Sequence, residues 1–333
     1  VNIPLLHRLR RAQGAFIPLA ELGDDLPRLM ADLEEWEALG YALERHPYRG
    51  VAYRGPAQRL CPDLVEWELH PGRIGRRIAF WDRVGSTNDL AAKAAGSRAN
   101  DGLVVLAEWQ SAGRGRRGRP WSAPASSSIL MSVLLFPPEP LADPAWLTAL
   151  GAVAAAEVVE ELSGRPARIK WPNDVRVDGR KVAGILVERG RCSILGIGLN
   201  VNIRPEEFPD DLRETATSLQ ALRDEPLDRS EVARSLILRL DDHYGRGLAE
   251  GAAALNERWS LLLEAIGTLV RLETVGGPVV GRLIGADLTR GVRVRLAGAG
   301  VRTLPTAEVT AIGAMEPDDQ AARSRTAAPP GGS

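Results

Sequence analysis

Apolar residues recur at helical spacing through residues 26–39, where Leu26, Leu29, Met30, Leu33 and Trp36 fall on one face. Residues 5–12 carry the same period. The spacing predicts two helices, the second stopped at Gly40. Tyr41 to Tyr53 then reads as a two-stranded wing, so residues 1–57 read as a small winged-helix-like module. Residues 58–77, with Pro62, Pro71, Gly72 and Gly75, read as a linker. From residue 78 the pattern changes. Ile78–Val84, Leu103–Trp109, Ile129–Phe136, Lys181–Glu188 and Cys192–Leu199 are β-rich apolar runs. Between them Ser86–Ala95 reads as a helix capped by Ser86, with Asp89 three residues on. Ala145–Leu162 reads as a buried helix, and Arg229–Leu248 and Ala252–Leu263 as amphipathic ones. Asp178-Gly179 marks a hairpin turn.

Strands and helices mix without strict alternation, which predicts an α+β fold with a mixed or antiparallel central sheet over residues 78–263. Short β segments with glycine turns follow, at Leu269–Thr274, Val279–Ile284, Val292–Leu296 and Val301–Pro305. They predict an SH3-like barrel over residues 264–315. Residues 316–333 are polar and rich in Pro and Gly, the composition of a disordered tail.

Composition narrows the function. The net charge of −1 over 333 residues gives no whole-chain field toward nucleic acid or membrane. Two distant cysteines, Cys61 and Cys192, argue against a disulfide framework, and no His/Cys spacing suggests zinc. The longest apolar stretch, Leu147 to Val159, is too short and polar to span a bilayer. With no signal-like start, a soluble cytoplasmic protein is the expectation.

Four segments carry candidate chemistry. Gly113 to Arg119 holds three glycines and four arginines, followed by Pro120 and Trp121. Glycines allow close backbone approach, and guanidinium forks pair with phosphate or carboxylate. The same composition also fits a solvated basic loop or an RNA-binding segment, although RGG repeats and interleaved aromatics are missing. Lys170-Trp171-Pro172-Asn173-Asp174 and Lys181 to Glu188 flank the Asp178-Gly179 turn. Lys181 begins an apolar strand, so its stem is held while its ammonium can reach a pocket and offset developing negative charge. It also fits an ordinary surface lysine. Gly85-Ser86-Thr87-Asn88 could hold a polar uncharged group at a helix start, or be a simple cap. In Gly196-Ile197-Gly198-Leu199-Asn200 the alternating glycines imply close approach of a ligand or of another strand.

Together, Ser86-Thr87-Asn88, Gln110 to Arg119, Lys170–Asp174, Lys181–Glu188 and Gly196–Asn200 resemble the biotin–protein ligase family, in its bifunctional bacterial type. The resemblance covers residues 78–313 well and residues 1–57 loosely. It implies biotin–[acetyl-CoA-carboxylase] ligase activity on the biotin/lipoate ligase fold: ATP and biotin form biotinyl-adenylate, and biotin passes to a lysine of a biotin carboxyl carrier domain. It implies biotin contacts from Ser86, Thr87, Asn88, Gln110, Gly113, Arg114, Arg116, Lys181 and Gly184. ATP contacts would come from Arg114, Arg116, Arg119, Trp121 (stacked near adenine), Lys170, Asn173, Lys181 and Asn200. Lys181 and Arg116 would be catalytic, and Asp174 would bind Mg²⁺ or orient Lys170. A homodimer through edge strands is an open alternative.

Relatives of this layout also repress biotin genes through the N-terminal module. Here eight acidic residues and only Arg28 and Arg45 lie between Leu19 and His46. An acidic recognition helix loses the phosphate term that dominates DNA affinity. The favoured reading is a structural or protein-interaction module; the alternative is a biotin-responsive repressor.

Overall fold

The structure, a computed structural model, describes residues 1–315. The tail expected at 316–333 lies outside the described residues.

Both expected N-terminal helices have a side-chain cap. Helix α1 (Ile3–Arg11) starts at Asn2, whose side chain accepts from Leu5 N–H at 3.2 Å. After the single turn α2 (Leu19–Leu22), helix α3 (Leu26–Ala38) starts at Asp25, which accepts from Arg28 N–H at 3.1 Å. Gly40, at φ +94°, adopts the left-handed conformation that ends the helix cheaply. Strands β1 (Ala42–His46) and β2 (Gly50–Gly55) then pair antiparallel. Leu6, Leu33 and Trp36 fill a separate small core, and Trp36 Nε1–H donates to Asn2 O at 3.0 Å.

This part is docked on the rest by charge. Arg10 pairs with Asp228 and Glu231, Tyr41 donates to Asp228 at 2.7 Å, and His7 Nε2 lies 3.1 Å from Glu231. Residues 58–77 carry helix α4 (Pro62–Glu66) and bury Leu64, Val65 and Ile74.

The remaining helices and strands of the body alternate irregularly: β3 (Ile78–Val84), α5 (Thr87–Lys93), β4 (Val104–Gln110), β5 (Ser128–Leu135), α6 (Pro144–Ser163), β6 (Arg168–Lys170), β7 (Asp174–Val177), β8 (Arg180–Arg189), β9 (Ser193–Asn200), α7 (Leu219–Arg223), α8 (Arg229–Glu250) and α9 (Asn256–Leu262). Seven strands form one sheet in the order β3-β4-β5-β9-β8-β7-β6. Only β3 and β4 run parallel, with α5 in the crossover between them; all other neighbours are antiparallel. The fold is therefore α+β with a mixed sheet, as the patterning predicts. Asp178 (φ 50°) and Gly179 (φ 76°) make the tight turn from β7 to β8.

The two faces of this sheet differ in side-chain size. Leu195, Ile197 and Leu199 of β9 are buried on one face. There α6 packs so closely that a Cβ on Gly151 would stand 3.0 Å from Leu195 and 3.1 Å from Ile185. Gly196 and Gly198 alternate with those residues and lie on the opposite face. One face is thus sealed by a helix rich in small residues, and the other has bare backbone on which ligands or side chains can rest.

The C-terminal part is a five-stranded antiparallel sheet in the order β13-β12-β11-β10-β14, built from β10 (Leu269–Thr274), β11 (Val279–Asp287), β12 (Gly291–Leu296), β13 (Gly300–Leu304) and β14 (Val309–Ala314). Strand β14 has no counterpart among the expected β segments. Trp171 Nε1–H donates to Val309 O at 3.0 Å and so ties β14 to the turn between β6 and β7. The single helix expected over 252–263 is instead a 3₁₀ turn (Ala252–Leu255) followed by α9. Among the described residues no helix is long and apolar enough to cross a membrane.

Candidate active site

Three glycines make the floor of a cleft of ≈ 480 Å³, counted out to its open mouth. Gly184 on β8 sits directly opposite Gly198 on β9, and Gly196 lies opposite Ser132 of β5. A Cβ on Gly198 would stand 2.3 Å from the Trp121 ring, and one on Gly196 2.5 Å from Asn88 Oδ1. One on Gly184 would lie 2.9 Å from Trp121 and 3.0 Å from Lys181 Nζ. The alternation therefore exists because Trp121, Asn88 and Lys181 rest on the sheet backbone.

At one end of the cleft the N-terminus of α5 meets β4 and β5. Ser86 occupies the cap position, but its side chain makes no capping bond. This corrects the expected cap. The acceptor comes instead from another element: Gln110 Oε1 accepts from Thr87 N–H at 2.7 Å and lies 2.9 Å from Thr87 Oγ1. Ser132 Oγ lies 2.7 Å from Thr87 Oγ1 and 2.5 Å from Asn88 Oδ1. Asn88 Nδ2–H donates to Glu188 at 2.9 Å. Ser86, Thr87, Asn88 and Ser132 are all buried. This end is polar and buried, and uncharged except for Glu188, Arg114 and Asp89 at its edge.

The other end is cationic. The Gly/Arg segment folds into a closed loop: Gly115 N–H donates to Arg119 O at 2.7 Å and Trp121 N–H to Gly113 O at 2.9 Å. At its tip, Arg117 (φ 58°) and Gly118 (φ 72°) reverse the chain. Arg116 reaches Asn173 Oδ1 at 3.3 Å, and Asn173 is clamped to β8 by bonds to Ile185 N–H (3.0 Å) and Ile185 O (2.9 Å). Burial and then neighbouring Arg117 hold the Arg116 pKa below its ordinary value, with Asp174 opposing them. A guanidinium remains cationic at neutral pH even so. Among the described residues Arg116 has no ion-pair partner.

Lys181 comes into the same space through a β-bulge. Val175 pairs with Ala183 and the next residue, Arg176, with Lys181, so Val182 is the extra residue. Backbone bonds of 2.8 Å to Thr215 O and from Thr217 N–H fix the strand there. Lys181 Nζ lies 2.7 Å from Asp174 Oδ1 and 5.4 Å from the centre of the Trp121 ring.

Ser86, Thr87, Asn88, Gln110, Arg114, Arg116, Trp121, Asn173, Lys181 and Gly184 all line the cleft. Gly113, Arg119, Lys170 and Asn200 do not. Gly113 lies under the loop, where a Cβ would stand 2.4 Å from Trp121 O. Asn200 is buried and donates to Thr217 O at 3.0 Å, so its amide is spent inside the fold. Arg114, expected to meet phosphate, is held by Asp89 (2.6 and 3.1 Å) and Glu188 (3.2 and 3.3 Å). The Arg114 hydrogen bond holds the Asp89 carboxyl below its usual range. Asp174, expected at a metal, pairs with Lys181, and no cluster of three metal-binding side chains occurs among the described residues. Ser132 and Glu188, which stand behind the lining residue Asn88, are not among the expected site residues. Ser132 is hidden in an apolar run that reads only as a strand; Glu188 closes a motif without announcing a partner.

Residues 80–202 match the model of the biotin/lipoate A/B protein ligase family. The chain is 31% identical over 315 residues to the bifunctional ligase/repressor BirA of Bacillus subtilis, covering 92% of this chain and 97% of that one. It is 39% identical over 237 residues to the biotin–[acetyl-CoA-carboxylase] ligase of Mycobacterium tuberculosis, covering 67% and 86%. The biotin protein ligase of Aquifex aeolicus, solved with biotin and ATP, superposes with a TM-score of 0.64 at 26% identity, over 72% of this chain and all of that one.

Proposed function

Because this chain belongs to the biotin protein ligase family, we propose that its cleft performs both halves of the ligase reaction, ATP-dependent formation of biotinyl-5′-AMP and transfer of biotin to an acceptor lysine. The observation that carries the residue roles is the convergence of an uncharged hydrogen-bonding end and a cationic end on one glycine floor. A biotin molecule has the same polarity, with a cyclic urea at one end and a carboxylate at the other.

The ureido ring binds at Ser86, Thr87, Asn88 and Gln110. The thiophane ring and the chain lie along Gly184 and Gly198. Trp121 rests on those glycines here, so its ring must lift to admit the biotin chain, and we place it over that chain rather than on adenine. The carboxylate then reaches Arg116 and Lys181, where the ATP α-phosphate must also come. Arg114 serves as a tether of the loop, since two carboxylates already occupy it. We assign no ligand contact to Arg119, Lys170 or Asn200.

The chemistry follows from charge. A carboxylate oxygen attacks the α-phosphorus, the bond to the bridging oxygen breaks, and pyrophosphate leaves. Two anions must approach each other, and Arg116 and Lys181 offset that repulsion and stabilise the charge that develops. Asp174 holds the ammonium in place. The magnesium ion enters as part of the Mg·ATP substrate, because the nearby acid is already committed to Lys181. In the second half, the ε-amine of the acceptor attacks the acyl carbon, AMP leaves, and the amine sheds a proton. No enzyme nucleophile is needed. The acceptor is a biotin carboxyl carrier domain. Biotin-dependent exchange of pyrophosphate into ATP, with no exchange when lipoate replaces biotin, tests this assignment. Equal exchange with both acids overturns it.

For the N-terminal part we propose a structural or protein-interaction role. Helix α3 presents Glu34 and Glu35 to solvent, and Glu37 pairs with Arg45. A gel shift at low salt with DNA upstream of biotin genes should show no biotin-dependent complex; a specific one refutes this reading.

A further inference from the structure

Every polar side chain at the uncharged end of the cleft has a choice of hydrogen-bond direction, apart from one. Asn88 can turn its amide over, and Ser132 and Thr87 can rotate their hydroxyls. Glu188 is the exception, because a carboxylate only accepts. It takes Asn88 Nδ2–H at 2.9 Å. Asn88 must then show Oδ1 to Ser132, 2.5 Å away, and the single Ser132 proton is committed to that contact. Ser132 Oγ is left facing Thr87 Oγ1 at 2.7 Å with lone pairs only, so the single Thr87 hydroxyl proton turns to Ser132 and away from Gln110 Oε1, 2.9 Å off. From the other side Gln110 is also fixed, since its Oε1 takes the Thr87 backbone N–H at 2.7 Å. Its amide N–H groups therefore face away from Thr87.

We infer that Glu188 is a positioning residue that sets the direction of this hydrogen-bond chain and thereby makes the cleft select a cyclic urea head group. This rests on the biotin reading above and extends it. The chain leaves the lone pairs of Thr87, which lines the cleft, to accept a ring N–H and the Gln110 amide to donate to the ring carbonyl. Gly196 is part of the device. A side chain there would meet Asn88 Oδ1 at 2.5 Å and push the amide out of line. Glu188 acts through Asn88, outside the reacting atoms. Arg114 keeps its bonds to Asp89 when Glu188 changes, so the loop retains a tether.

The test is a pair of charge exchanges read by calorimetric titration with biotin and by separate KM values for biotin and ATP. Glu188→Gln lets the Asn88 amide turn over, and biotin affinity should fall about tenfold, the loss of roughly one charge-assisted hydrogen bond, while KM for ATP moves less. Asn88→Asp should weaken biotin similarly, because two carboxylates then face each other. In the double variant the amide introduced at position 188 donates to the carboxylate introduced at position 88. That carboxylate again accepts from Ser132, so the original direction returns. Affinity should recover most of the loss. The single variants should also discriminate less between biotin and its ring N-methyl derivative. Wild-type affinity in Glu188→Gln, or a double variant as weak as the two singles combined, overturns the inference. If the unaltered protein binds no biotin in the same titration, the functional reading fails instead.

Discussion

Lys181→Ala is expected to lower biotin-dependent ATP–pyrophosphate exchange about a hundredfold or more, while the protein stays folded. The size follows from removing one preorganised cation aimed at developing charge, which is typically worth about 3 kcal/mol of transition-state stabilisation. Folding should survive for two reasons. The contacts that fix Lys181 in the strand are made by its backbone, with Thr215 and Thr217. Its side chain is about a third exposed, and the ion pair to Asp174 is of the kind that contributes only about 1 kcal/mol or less. The thermal midpoint and the exchange rate, measured on one preparation, separate these effects. Near-normal exchange in a folded variant removes Lys181 from the chemistry. A variant that unfolds would leave the question to Lys181→Gln, which keeps most of the length of the stem and a donor without the charge.

Arg116→Gly is expected to make the protein release biotinyl-adenylate. Arg116 is the cation of the loop that points across the cleft to Asn173, whereas Arg114 anchors the base of the loop. Losing the first and keeping the second should leave a loop that still folds and no longer closes over the mixed anhydride. A mixed anhydride retained in a closed site is shielded from water and stray amines. Freed, it should acylate exposed lysines of bystander proteins such as albumin. Bystander labelling should rise by about an order of magnitude or more, the loss of roughly one hydrogen bond to a charged group, Arg116 to Asn173. Labelling no greater than with the unaltered protein would mean that retention rests on other residues.

Legibility in the sequence followed the range of the interaction. Local signals were readable. Asp178-Gly179 demanded positive φ and has it, Gly40 ended its helix, and the alternating glycines of β9 announced a close approach. The meeting of Arg116 with Lys181 in one cleft is also expected, because the resemblance brings in family order and spacing. Pairwise facts between distant segments were not readable. Four arginines in seven residues look equivalent, yet Arg114 is spent on Asp89 and Glu188 while Arg116 is not. Ser86 has the residue type of a cap, but Gln110, on a different element, satisfies the helix start. Asn200 stands at the end of a strand, as expected, and bonds inward to Thr217. The bulge at Val182 leaves no mark on the apolar pattern, although it decides where Lys181 points. Strand β14 escapes the pattern because Ala311, Gly313 and Ala314 have little β character, and its pairing with β10 supplies the order.

The most direct measurement is a crystal structure of this chain with biotinyl-5′-AMP. The ureido ring should lie against Thr87 and Gln110, with the glycine floor beneath the chain and the α-phosphate within hydrogen-bond reach of both Arg116 and Lys181. A ligand seated elsewhere, or a phosphate that neither cation can touch, would contradict the account.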